Sequence, residues 1–114
     1  MKEYYFNQNE LEEASETLRS ISHNLRLRII SLISDLTEVN VNEIYKRLNI
    51  EQSITSQHLK ILRDSSIVHT KRDGKMVFYS LNYDKIEKVN LALTQFDEFT
   101  KARKKAKLNT AVTQ

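Results

Sequence analysis

The chain has 114 residues, 39% of them apolar and 29% charged, with one glycine, no proline and no cysteine, which suffices for one compact domain with a modest core and not for two. Lacking cysteine, it forms no disulfide, thiolate metal site, thiol nucleophile or thiol switch, and a single glycine excludes the Gly-rich loops that cradle nucleotide phosphates. The net charge of +3 is sorted along the chain, with Glu3, Glu10, Glu12, Glu13 and Glu16 near the start and Lys101, Arg103, Lys104, Lys105 and Lys107 near the end, a distribution that fits a polyanionic partner.

The opening stretch is polar and acidic, and no run approaches the roughly 18–20 apolar residues of a membrane span, so a cytoplasmic protein with no membrane partner is expected. Asn9 and Glu12 have the spacing of a capping box, and Leu11, Ala14, Leu18 and Ile21 follow at helical intervals; this predicts a first helix over residues 9–21. Ser22, His23 and Asn24 are capping types and mark a turn. A second helix then carries Leu25, Ile29, Ile30, Ile33 and Leu36 on one face, with Arg26 and Arg28 pointing away. Asn40 with Glu43 opens a short third helix that offers Val41, Ile44 and Leu48 for burial and stops at Asn49. The fourth helix spans residues 52–64, with Ile54, Leu59, Ile61 and Leu62 toward the core.

Beyond it the period becomes extended. Ile67, Val68, His69 and Thr70, then Met76 to Leu81, are rich in β-branched and aromatic residues. Between them lies Asp73-Gly74, expected as the central pair of a type I′ turn in which both residues need positive φ. A last helix starts near Asn82 and runs Ile86, Val89, Leu93, Phe96, Thr100, Arg103 at intervals of 3 and 4, the seam of a helix packed on another helix. Residues 108–114 read as a disordered tail, and residues 1–107 as a single domain.

The fold class is therefore mainly α with a small β-hairpin wing, and the order of elements is that of a winged helix-turn-helix, whose fourth helix enters the DNA major groove. On a helical wheel Ile54, His58, Leu59, Ile61 and Leu62 share one side of that helix, and Gln52, Ser53, Ser56, Gln57, Lys60 and Arg63 share the other. The ordinary account of such a side is solvation. Here it is joined by Lys71, Arg72 and Lys75 around the hairpin, a second basic element where a wing would reach DNA. Gln57 suits an adenine edge, Ser53 and Ser56 sit near the helix N-terminus where phosphate is attracted, and Lys60 and Arg63 suit the backbone.

Residues 18–30 (LRSISHNLRLRII), 53–62 (SITSQHLKIL) and 77–81 (VFYSL) resemble the small winged-helix repressors of the ArsR type, and the likeness extends over most of residues 10–105. The resemblance implies a homodimer whose paired fourth helices bind a pseudo-palindromic operator in double-stranded DNA and repress transcription. It places base reading at Gln52, Ser53, Ser56 and Gln57, and the dimer contact on the first and last helices, at Leu11, Ala14, Leu18, Ile86, Val89, Leu93 and Phe96. Metal-sensing relatives carry Cys-x-Cys where this chain has Asn40 and Asn42, and others use histidines of the last helix, where this chain has none after His69. Amides are poor ligands for soft metals, so no metal site and no cofactor are expected. The Asp-Pro usual between the first two helices is His23-Asn24 here.

His58 is read as a packed, hydrogen-bonded histidine, and nothing in the spacing of His23, His58 and His69 gathers the three at metal distance. No nucleophile elbow or paired-acid motif frames a catalytic site, so the chain is not expected to be an enzyme. The alternative to an operator-binding regulator is a winged-helix interaction or dimerisation module, which would show an apolar patch on the fourth helix and wing. The effector, small molecule or protein, is left open; Tyr4, Tyr5, Phe6, Phe96 and Phe99 could line a ligand site, but aromatic residues so spaced ordinarily form dimer core.

Overall fold

The computed structural model describes residues 6–113. Helix α1 (Gln8–Ile21) is followed by α2 (Asn24–Leu36), a two-residue strand β1 (Val39–Asn40), α3 (Val41–Leu48), α4 (Gln52–Asp64), the hairpin strands β2 (Val68–Asp73) and β3 (Met76–Leu81), and a long closing helix α5 (Tyr83–Thr113). The sheet is antiparallel with strand order β1-β3-β2. Three-element packing of helices over this small sheet makes one main core: Ile29 and Ile33 of α2, Ile44 of α3, Leu59 and Leu62 of α4, and Val39, Ile67, Val68 and Leu81 around the sheet are all buried together.

The helix boundaries follow from their caps. Asn7, not Asn9, caps α1: its side chain accepts the Glu10 N–H at 3.1 Å, so the capping pair sits two residues earlier than the sequence spacing predicts. The Oδ1 of Asn40 accepts the Glu43 N–H at 2.9 Å, as expected. Asn49 takes the left-handed conformation after α3, and the Ile50 and Asn49 N–H groups return to Tyr45 and Lys46, a Schellman closure. The same closure ends α4, where Ser66 has φ of 63° and the Ile67 N–H reaches Leu62. Leu62 and Ile67 are both in the core, so this closure turns the chain from α4 into β2 without exposing either.

Two tighter turns are invisible to periodicity. Ser22 (φ −80°, ψ 50°) bridges α1 and α2 with a His23 N–H to Ile21 carbonyl bond, an inverse γ-turn. Thr37 (φ 70°, ψ −52°) bends the chain out of α2, and the Glu38 N–H bonds Leu36 across it at 2.8 Å. That is the rarer γ-turn, strained for a β-branched residue. It delivers Val39 and Asn40 to pair with Tyr79 and Phe78. Strand β1 was not anticipated because two residues carry no period.

The hairpin also differs from expectation. Asp73 pairs with Met76, so the turn residues are Gly74 and Lys75, and Gly74 alone of the two has positive φ, 62°. One leading glycine of this kind marks a type II′ turn, and Asp73 belongs to the strand.

Helix α5, 31 residues and about 46 Å long, lies antiparallel to α1. Ala14, Val89 and Ala92 are buried between them with Leu18 alongside, Lys85 Nζ meets Glu13 Oε1 at 2.8 Å, and Phe6 sets its ring edge-on to Phe96 and Phe99. Beyond this contact α5 projects. The radius of gyration is 19.1 Å, where a compact chain of this length would have about 13 Å. The helix continues through Thr113, across the stretch the sequence reads as a tail.

Candidate nucleic-acid interface

Helix α4 begins three residues after the left-handed Asn49, and its orientation is set by its buried side: Thr55, Leu59 and Leu62 are fully enclosed, and Ile54 and His58 are half-buried. Thr55 was not among the predicted core residues; its hydroxyl is satisfied locally, donating to the Glu51 carbonyl at 3.0 Å, which lets it pack like a small apolar residue. Ile61, predicted to be buried, is 40% exposed. At 100° per residue it stands at the edge of the apolar sector, next to the solvent side.

Gln52, Ser53, Ser56, Gln57, Lys60 and Arg63 are all exposed. They form one continuous polar side with amides and hydroxyls toward the N-terminus and cations toward the C-terminus. The first turn contains no acidic residue, and the acid at the helix start is the N-cap Glu51, whose side chain makes no capping hydrogen bond. Lys60 Nζ contacts Asp64 Oδ2 at 2.8 Å, and this hydrogen bond holds the Asp64 carboxyl below its usual range. Both side chains are exposed, so the pair is worth little and opens readily.

The hairpin packs against α4 through β2 and against β1, α2 and α3 through β3, and leaves Lys71, Arg72 and Lys75 exposed. Lys71 and Arg72 are adjacent strand residues, opposite Phe78 and Val77, so they point to opposite faces of the ribbon. A duplex lying along one face would meet one of them together with the tip at Lys75.

Behind α4 the structure assembles a cluster that sequence spacing did not reveal. His23 accepts the Leu25 N–H through Nδ1 at 3.1 Å and so caps α2. Its ring lies 4.7 Å from that of His58, and Arg26 Nη1 donates to His58 Nδ1 at 3.2 Å. Arg26 therefore turns inward, half-buried with its Nε lacking a partner, contrary to the outward orientation the wheel gives it. Desolvation, followed by the fields of His23 and Arg26, holds His58 below the usual imidazole range. His23 and His58 meet because the γ-turn at Ser22 folds the start of α2 over α4, a contact between residues far apart in the chain. His69 lies apart on β2, and among the described residues no three of His, Asp and Glu converge as metal ligands.

Of the residues expected at a dimer contact, Ala14 and Val89 are buried within the chain between α1 and α5, Leu18 packs beside them and Ile86 packs on the main core. Leu11 is half-buried, and Leu93 and Phe96 are 36% and 38% exposed. Phe6, Phe96 and Phe99 form an aromatic cluster of their own; Tyr4 and Tyr5 lie outside the described residues. No helix among the described residues is long and apolar enough to cross a membrane.

The sequence pattern described as "bacterial regulatory protein, arsR family" matches residues 23–70, from the α2 cap to β2. The chain is 34% identical over 77 residues to the transcriptional repressor PagR of Bacillus anthracis, covering 68% of this chain and 77% of that one. It is likewise 34% identical over 70 residues to the transcriptional activator HlyU of Vibrio cholerae, covering 61% of this chain and 64% of HlyU. The crystal structure of PagR superimposes with a TM-score of 0.65 at 31% identity, over 75% of this chain and 98% of PagR.

Proposed function

Because the chain belongs to the ArsR family of bacterial regulatory proteins, a family of transcriptional regulators and not of enzymes, we propose that it is a homodimeric repressor whose two α4 helices read a pseudo-palindromic operator. The observation that carries this reading is the exposed side of α4: six polar or cationic side chains, with the one acid, Asp64, at the C-terminal end and paired to Lys60, held outward by a buried Thr55, Leu59 and Leu62. Gln52, Ser53, Ser56 and Gln57 face the base edges, Lys60 and Arg63 the phosphates, and Lys71, Arg72 and Lys75 flank the groove. Lys60 exchanges Asp64 for a phosphate on binding.

The dimer forms through α1 and α5. Since Ala14 and Val89 already serve the intrachain contact, the second copy covers Leu11, Leu93, Phe96 and the exposed Leu91. Residues 1–107 act as one DNA-binding unit in the cytoplasm. No metal is sensed at α3, where Asn40 is occupied in capping the helix. The competing interaction-module reading requires an apolar patch on α4 and the hairpin; Ile61 and Met76 are the large apolar residues exposed there, one on each element and short of a patch.

Gel shifts at low and high salt, with duplex selected from a randomised pool, test the reading. Sequence-preferring binding that weakens steeply with salt is expected, because each phosphate contact releases counterions; salt-independent or absent binding would favour the interaction module.

A further inference from the structure

His58 lies on the half-buried edge of α4, directly after Gln57, and its Nδ1 accepts from Arg26 of α2 at 3.2 Å. A guanidinium can only donate, so the ring is held in the tautomer with its proton on Nε2. Arg26 is itself restrained: its Nε is enclosed, and it springs from the first turn of α2, three residues beyond the His23 cap. His23 packs its ring on His58 at 4.7 Å. These contacts join the α2 start to the middle of α4 by a polar tie that the apolar core does not supply, and a tie of this sort fixes the roll of a helix more narrowly than apolar packing alone.

We propose that Arg26, acting through neutral His58, is a positioning residue for the base-reading side of α4, and that protonation of His58 breaks this tie and weakens operator binding in acid. The inference rests on the operator-binding reading of α4. When a proton adds to Nδ1, the acceptor disappears and a second cation stands against the guanidinium. The groups acting electrostatically on His58 are His23 and Arg26; from α1, α3 and β2, the other elements packed on α4, no charged group compensates among the described residues. All influences on the ring favour its neutral form, so the tie is intact at neutral pH and fails as pH falls below the ordinary imidazole range.

The sign of the effect is distinctive, since added positive charge on a DNA-binding surface by itself strengthens binding in acid. The test begins with duplex selected from a randomised pool at neutral pH, followed by affinity measurement from neutral to about pH 5 at fixed salt, with helix content followed by circular dichroism. The expected result is an affinity that falls, below the His58 transition, by up to about tenfold per pH unit for each of the two His58 side chains of the dimer, with helix content retained. His58→Gln keeps an acceptor for Arg26 but cannot titrate there; it is expected to bind near the parent level at neutral pH and to lose the acid sensitivity. His58→Phe keeps the packing without the acceptor and is expected to bind weakly at every pH. An enriched duplex bound with unchanged or rising affinity in acid, acid sensitivity that persists in His58→Gln, or acid loss that merely tracks unfolding overturns the proposal. Failure to enrich any duplex overturns the operator reading and this proposal with it.

Discussion

Arg28 Nη2 donates to the Leu48 carbonyl at 3.1 Å, so a side chain of α2 closes the last turn of α3 immediately before the bend into α4. The bond supplements the Schellman closure at Asn49 and ties the angle between α3 and α4 to the central helix. Arg28→Ala should lower unfolding stability by about 1 kcal/mol, the ordinary net worth of such a bond near the surface. Denaturant midpoints with an unchanged slope would report it.

Thr37 holds a left-handed γ-turn with φ of 70°, which a β-branched residue adopts only under strain. Thr37→Gly should therefore stabilise the protein by about 1 kcal/mol, because relief of strain exceeds the added freedom of the unfolded chain. Thermal melts of the two proteins would show the gain; a lower melting temperature would mean that the Thr37 side chain contributes more than its backbone costs.

Ser56→Ala combined with Gln57→Ala removes base-facing groups from α4 without touching Thr55, Leu59 or Leu62. Operator affinity should fall by about 1–3 kcal/mol for each lost good base contact while binding to unrelated duplex persists. Competition binding between selected and scrambled duplex measures this, and an unchanged preference would remove these residues from the reading side.

Lys71→Glu with Arg72→Glu should act differently, weakening selected and scrambled duplex alike. Since the two side chains point to opposite faces of the hairpin, one phosphate contact per wing, two per dimer, is expected to be lost, reducing the slope of log affinity against log salt by about 2. A slope reduced by about 4 would show that both faces of each wing touch DNA.

Zinc should leave operator affinity unchanged, because the α3 position used by metal-sensing relatives holds Asn40 and Asn42 and Asn40 is engaged in its cap. Titration of zinc into a preformed complex checks this; dissociation at micromolar metal would point to ligands among the carboxylates.

Much of this architecture was legible because short helices announce themselves through caps. Asn40, Asn49 and the uniform outward set on α4 placed α3 and α4 correctly. What was not legible depends on contacts between distant residues or on backbone geometry without a residue signature. Arg26 looks outward on a wheel of α2 alone; only the folding of α2 over α4 gives it His58 as a partner. Strand β1 exists because β3 offers Tyr79 and Phe78 as partners, which nothing in Val39-Asn40 encodes. Of the seam expected on α5, Val89 packs against α1 while Leu93, Thr100 and Arg103 are exposed; periodicity cannot say whether the partner is α1 of the same chain or a second chain. Ala14 and Val89 show that part of it is the former.

If the reading of α4 is right, its outward side is the surface that meets DNA. Backbone amide shifts recorded while a selected duplex is added test it most directly. The largest changes are expected on Gln52, Ser53, Ser56, Gln57, Lys60 and Arg63, with a second group at Lys71, Arg72 and Lys75. Changes concentrated on the basic end of α5, with α4 and the hairpin silent, would contradict it.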